Sequence, residues 1–91
     1  MISNKEADII GQKAIRTFGG NTQIIKAIEE CGELVQALSK HLIGPNPNMD
    51  NICEEIADVE IMIMQLRHLF PTYKIDEWKD KKLKRLEGVV W

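Results

Sequence analysis

Two apolar repeats of identical spacing, separated by a run that cannot continue a helix, constrain this chain more than any other feature. Ile24, Ile28, Cys31, Val35, Leu38 and Leu42 step 4-3-4-3-4, as do Ile52, Ile56, Val59, Ile63, Leu66 and Phe70. Gly44-Pro45-Asn46-Pro47-Asn48 stands between them and terminates the first helix. A connection this short makes its flanking helices antiparallel neighbours, so the spacing predicts a helical hairpin whose seam is these two stripes.

The flanks supply two more helices. Ser3-Asn4-Lys5-Glu6 is a capping box that starts a first helix, and Gly19-Gly20 stops it. The second is expected to begin after Asn21 or Thr22, either of which can cap, and to run to about Ile43. A third is expected from about Asp50 to Leu69, with Asn51-Ile52-Cys53-Glu54 as a capping candidate and Pro71 beyond its end. The fourth is expected to begin near Ile75 or Asp76 and run toward Leu86, with Gly88 as its stop. No strand alternation or repeat competes, so the expected fold is all-α, a single domain over residues 1–91 built as an up-and-down four-helix bundle.

A chain of 91 residues buries only about 60–65% of its unfolded surface, which leaves it marginal unless it associates. The third helix sharpens that point. Cys53, Ala57, Ile61 and Met64 make a second apolar stripe on it, so it is apolar nearly all round and its outer face is expected to pack against another subunit. A homodimer or homotetramer follows.

The acids break the apolar pattern in a specific way. Glu29-Glu30-Cys31-Gly32-Glu33 lies on the second helix and Glu54-Glu55-Ile56-Ala57-Asp58 on the third. Helices advance about 100° per residue, so Glu30 and Glu33 share a face, as do Glu55 and Asp58. On a wheel centred on each apolar seam, both pairs fall on the same-signed flank, and in an antiparallel pair those flanks lie on the same side. Axial levels agree too: Glu33 lies ten residues before Ile43 and Asp58 eight after Asp50, or roughly 15 Å and 12 Å from the turn. The four carboxylates are therefore expected to converge.

Unit charges about 4 Å apart repel by roughly 4 kcal/mol at an effective dielectric of 20, so such a cluster demands protonation or cations. An isolated acidic pair is ordinarily a solvated face; two pairs on one side of a hairpin point to a metal. All-oxygen ligation suits Mg²⁺, with Mn²⁺ as a substitute. A di-iron bundle would need Glu-x-x-His, which neither His41 nor His68 completes; both are expected to be ordinary surface residues. Cys31 and Cys53 lack metal-ligand spacing and are expected to be buried thiols of a reduced, cytoplasmic protein.

The fourth helix carries the opposite charge. Lys81, Lys84 and Arg85 share a face, with Lys79 and Lys82 nearby, and can hold phosphate oxygens. The plainer account is that Glu77 with Lys81 and Asp80 with Lys84 form ordinary i,i+4 pairs. A carboxylate-bound metal beside a cationic helix is what phosphoanhydride hydrolysis requires. There is no glycine-rich phosphate loop, so the metal must carry the phosphate.

Glu30-Cys31-Gly32-Glu33 and Glu55-Ile56-Ala57-Asp58, with the acid before each, resemble the Glu-x-x-Glu and Glu-x-x-Asp signature of the MazG-like, all-α nucleoside triphosphate pyrophosphohydrolases. The runs from Ile24 to Leu42 and Asn51 to Leu66 resemble the small single-domain members in helix order. The resemblance implies Mg²⁺-dependent cleavage between the α and β phosphates, with Glu30, Glu33, Glu55 and Asp58 as metal ligands. It also implies a phosphate-contacting role for Lys81 with Lys84 or Arg85. Glu29, Glu33 and Glu54 all remain candidates to position the attacking water. For the base, Gln23 and Lys26 precede the first motif, and Phe18, Tyr73 or Trp78 could stack on it, although aromatics at helix ends more often pack.

Two other functions fit the same residues: a non-catalytic helical module whose acid face binds a basic partner, and a phosphoribosyl-ATP pyrophosphatase of the same superfamily. A net charge of −2 gives no reason to expect nucleic acid or an anionic membrane as partner. Met1 to Arg16 lacks the continuous apolar core of a secretory signal, and no stretch is apolar for the ~18 residues a membrane span needs.

Overall fold

The computed structural model describes all of residues 1–91, as four helices and no strand: α1 Asn4–Phe18, α2 Gly20–Ile43, α3 Met49–Leu69 and α4 Thr72–Val90. The capping box forms: Glu6 N–H donates to Ser3 Oγ at 3.1 Å and Ser3 N–H to Glu6 Oε1 at 3.3 Å. Gly19, at φ +94°, turns the chain within one residue, closing α1 and opening α2. That compact turn leaves no room for a cap by Asn21 or Thr22, which lie inside the first turn of α2 instead.

The cap of α3 also differs from expectation. Asn48 Oδ1 accepts from Asn51 N–H at 3.0 Å, so the helix begins at Met49 and the Asn51–Glu54 box is not used. Helix α4 begins earlier than expected, directly after Pro71, whose ring fixes φ at −60° while ψ stays extended at 108°, as suits a residue at a helix threshold. Thr72 Oγ1 donates to Arg67 O at 2.6 Å, and Arg67 reaches Asp76 at 2.8 Å, tying the corner between α3 and α4. Gly88 does not end the helix: the Trp91 N–H still donates to Glu87 O at 3.0 Å. A helical glycine costs only about 1 kcal/mol, which disfavours the turn without forbidding it.

Helices α2 and α3 form the antiparallel pair, but on a different seam. On α2 the side toward α3 consists of Gln23, Ala27, Glu30, Leu34 and Ala37; on α3 it is Asn51, Glu55, Asp58, Met62, Gln65 and Leu69. Both rows keep the 4-3 rhythm, each displaced by one residue from the apolar stripe. The stripes expected to meet are instead turned outward: Ile28 is 67% exposed and Val35 64%, and Leu38, Leu42, Ile56, Ile63 and Phe70 are exposed as well. Only Ile24, Ile52, Val59 and Leu66 are half-covered. The alanines allow close approach of the two backbones, and three of the acids, Glu30, Glu55 and Asp58, occupy the seam itself, with the exposed Glu33 at its edge.

Helix α1 lies along α3. Gly11 is buried there, and a Cβ at that position would stand 2.9 Å from Met64 Cε. Asp8 pairs with His68 across the same junction and also accepts from Gln12 at 3.0 Å. His68 thus clamps two helices; its hydrogen bond holds the Asp8 carboxyl below its usual range against an opposing push from burial, and the hydrogen bond from Gln12 adds a smaller downward pull. Met64 is covered by α1, whereas Cys53, Ala57 and Ile61 on the same outer stripe remain exposed. Cys31 and Cys53 are exposed too, contrary to the expected buried thiols, because both belong to the outward faces.

Helix α4 touches α3 and neither α1 nor α2, and none of its residues is buried. The chain is accordingly extended. Its radius of gyration is 15.6 Å, against about 12 Å for a compact domain of this length. Its accessible surface is 7423 Å², about 2,000 Å² above the ~5,400 Å² that a monomer of this mass ordinarily shows. Only eight of 91 residues are buried, and four of those are Gln or Glu. No helix is long and apolar enough to cross a membrane.

Candidate metal centre

The displaced seam brings the acids together. Glu30 and Glu33 of α2 and Glu55 and Asp58 of α3 each offer one carboxylate oxygen, and these four oxygens lie within 4.8 Å of one another. The antiparallel register explains the grouping, since Gln23 meets Gln65 and each step forward on α2 is matched by a step back on α3. Glu30 and Glu55 are buried, Asp58 is half-buried and Glu33 is exposed, so the cluster has an inner wall and an open side.

Two observations distinguish this group from an ordinary acidic surface. Glu30 Oε2 and Glu55 Oε2 are buried and have no hydrogen-bond partner. Leaving a buried carboxylate oxygen unpaired is costly, so such atoms call for a cation or a proton. Glu55 shows the strain electrostatically: burial, then the negative charges of Glu33 and Asp58, push its carboxyl above the ordinary range, with a hydrogen bond to Glu33 and the Glu30 charge adding to the rise.

One internal cation is present. Lys26 lies one turn before Glu30 and stands 3.2 Å from its Oε1. Its hydrogen bond to Glu30, then the Glu30 charge and the weaker pull of Glu29 and Glu33, hold the ammonium above its usual range. A single half-exposed lysine balances four acids poorly, and the other two buried oxygens stay orphaned. The donor set is all oxygen, the arrangement hard divalent cations prefer.

The remaining sequence candidates fall outside the cluster. Glu29 and Glu54 are exposed on α2 and α3. Lys81, Lys84 and Arg85 are exposed on α4, which makes no contact with α2. Lys84 pairs with Asp80 at 3.2 Å, as expected, while Lys81 sits 5.1 Å from the Trp78 ring centre instead of pairing with Glu77. Gln23 is buried and its Nε2 donates to Gln65 Oε1 at 2.8 Å, two turns along the same seam from Glu30. Sequence reasoning missed this amide pair and the Lys26–Glu30 link; the second was available as an i,i+4 relation of opposite charges.

No protein-family model, curated protein or solved structure matches this chain.

Proposed function

We propose that this chain is a Mg²⁺-dependent nucleoside triphosphate pyrophosphohydrolase, acting on noncanonical or excess deoxynucleotides and working as a dimer or tetramer. One observation carries the reading: four carboxylates from two helices converge on a point where two of their buried oxygens lack partners. Glu30, Glu33, Glu55 and Asp58 would hold the ion, or Mn²⁺ in its place. When bound, the ion supplies Lewis-acid polarisation of phosphoryl oxygens and neutralises the charge of the carboxylates.

The chain's own residues divide the rest of the work. Buried Glu30 and Glu55 fix the inner side of the site, and exposed Glu33 faces the side from which water and substrate arrive. We assign to Glu33 the proton of the attacking water, over the outlying Glu29 and Glu54. The water oxygen bonds to the α phosphorus, the bond from that phosphorus to the bridging oxygen breaks, and pyrophosphate departs with the bonding pair. Lys81, Lys84 and Arg85 are exposed on a helix that does not touch α2 in its own chain, so we assign their phosphate-holding role to an assembled form in which a neighbouring copy presents α4.

Phosphorus NMR of a nucleotide panel that includes phosphoribosyl-ATP, with Mg²⁺, tests the reading. The expected result is the matched appearance of a monophosphate and pyrophosphate, lost in E33Q and D58N proteins that remain folded. Turnover of phosphoribosyl-ATP alone would reassign the substrate within the same chemistry. No turnover of any compound, with thermal stability indifferent to the metal, would leave a helical interaction module.

A further inference from the structure

The one base that touches the carboxylate cluster is placed so that it can leave. Of the four ion pairs in the protein, only Lys26 with Glu30 includes a cluster acid, and the other seam residues, among them Gln23, Ala27, Leu34, Met62 and Gln65, are uncharged. The two partners differ sharply in burial: the Glu30 side chain is 9% exposed and that of Lys26 53%. Glu30 Oε1 takes the ammonium at 3.2 Å, while its Oε2 stays buried and unpartnered.

Helix chemistry alone does not account for this contact. An i,i+4 pair gains more when the acid precedes the base, and here the order is reversed. What holds the ammonium is the demand of a carboxylate that water reaches poorly. A lysine head is a strongly hydrated point charge on a flexible stem, so its release into water strands nothing on its own side, whereas a planar arginine fork could engage both carboxylate oxygens at once. A divalent ion among Glu30, Glu33, Glu55 and Asp58 would neutralise the same buried acid, and the two cations would repel each other across it.

We infer that Lys26 is the resident counter-cation of the metal-free centre, released from Glu30 when a divalent ion binds, so that the centre takes up metal by exchanging one cation for another. The inference rests on the metal-centre reading above. It makes Lys26 a positioning residue for Glu30, in place of the base contact that its location ahead of the first motif suggests. The metal-free acids are thereby kept together, and the ion is held less tightly than four carboxylates alone would hold it, which keeps it exchangeable.

Titration of Mn²⁺ into wild-type, K26Q and K26R proteins, followed by the EPR signal of the free ion, measures the competition. K26Q is expected to bind Mn²⁺ about tenfold more tightly, the scale of one monovalent charge facing a divalent one at the edge of solvent. K26R keeps the charge and is expected to bind at or below the wild-type affinity. Unchanged or weaker binding by folded K26Q, or tightening in K26R equal to that in K26Q, would overturn the inference alone. Nitrogen-15 NMR of the lysine ammonium groups needs no variant to fold: in wild-type protein the Lys26 signal should move from its paired position to that of a free lysine as Mg²⁺ fills the site, and a signal that stays put while Mg²⁺ binds would equally overturn it. Wild-type protein that binds neither ion would overturn the metal centre and this inference together.

Discussion

Gln23 on α2 and Gln65 on α3 are joined by a 2.8 Å hydrogen bond inside the helix pair, two turns along α2 from Glu30. Gln65 Nε2 in turn lies 3.9 Å from Met62 Sδ. A buried amide pair of this kind fixes register, because sliding α2 past α3 would strand both side chains and separate Glu30 and Glu33 from Glu55 and Asp58. Q23L or Q65L alone should destabilise the fold by about 1–3 kcal/mol, since each leaves a buried amide unpaired. The double variant should lose less than the sum. Urea unfolding of the four proteins gives the coupling directly, and strict additivity would mean that the pair does not set the register.

Glu55 is the acid whose neutralisation the fold favours. With its folded carboxyl raised, the native state holds a proton that the unfolded chain has released. Metal-free stability should therefore fall as pH rises from the ordinary carboxyl range through the raised value, then level off. E55Q removes that penalty. In EDTA, its Tm should exceed the wild-type value at neutral pH, and the gap should close on acidification below the ordinary range. A Tm difference that is flat with pH would show that Glu55 carries no such burden.

The outward stripe bears on assembly. Ile28 is 67% exposed in the single chain, where substitution to Lys should change stability by no more than about 0.5 kcal/mol. An interface of standard size takes about 800 Å² from each partner, well within the chain's surplus surface. If Ile28 lies in such an interface, I28K should yield a smaller species in sedimentation and a Tm several degrees lower at equal protein concentration. An unchanged sedimentation coefficient would place the contact elsewhere.

Gly32 lies within the first acidic motif, and a Cβ there would meet nothing within 4 Å. G32A should therefore raise stability by about 0.5–1 kcal/mol through helix propensity alone. Denaturant midpoints check this, and destabilisation would mean that a neighbouring copy closes on that position.

Much of this molecule is legible in the sequence, for identifiable reasons. The number of helices, the Ser3–Glu6 box and the end of α2 at Ile43 follow from local capping and breaker chemistry, which needs no tertiary context. The meeting of the four acids follows from axial distances to the Gly44–Asn48 turn and from the helical period. The seam is another matter. Apolar rhythm says that a stripe such as Ile28 to Leu42 wants cover, but not whether α3 or a second molecule supplies it; here Gln23, Ala27 and Glu30 take the inner position and displace both stripes by one residue. Cys31 and Cys53 are exposed for the same reason. Gln23 and Gln65 are unreadable as partners because nothing local links residues so far apart in the chain.

The proposed metal centre requires α2 and α3 to share a divalent cation. Anomalous diffraction at the manganese edge from crystals equilibrated with Mn²⁺ tests it most directly: a peak should lie among Glu30, Glu33, Glu55 and Asp58 and vanish in E55Q crystals. Saturating Mn²⁺ with no density there, in crystals where these side chains are ordered, would contradict the account.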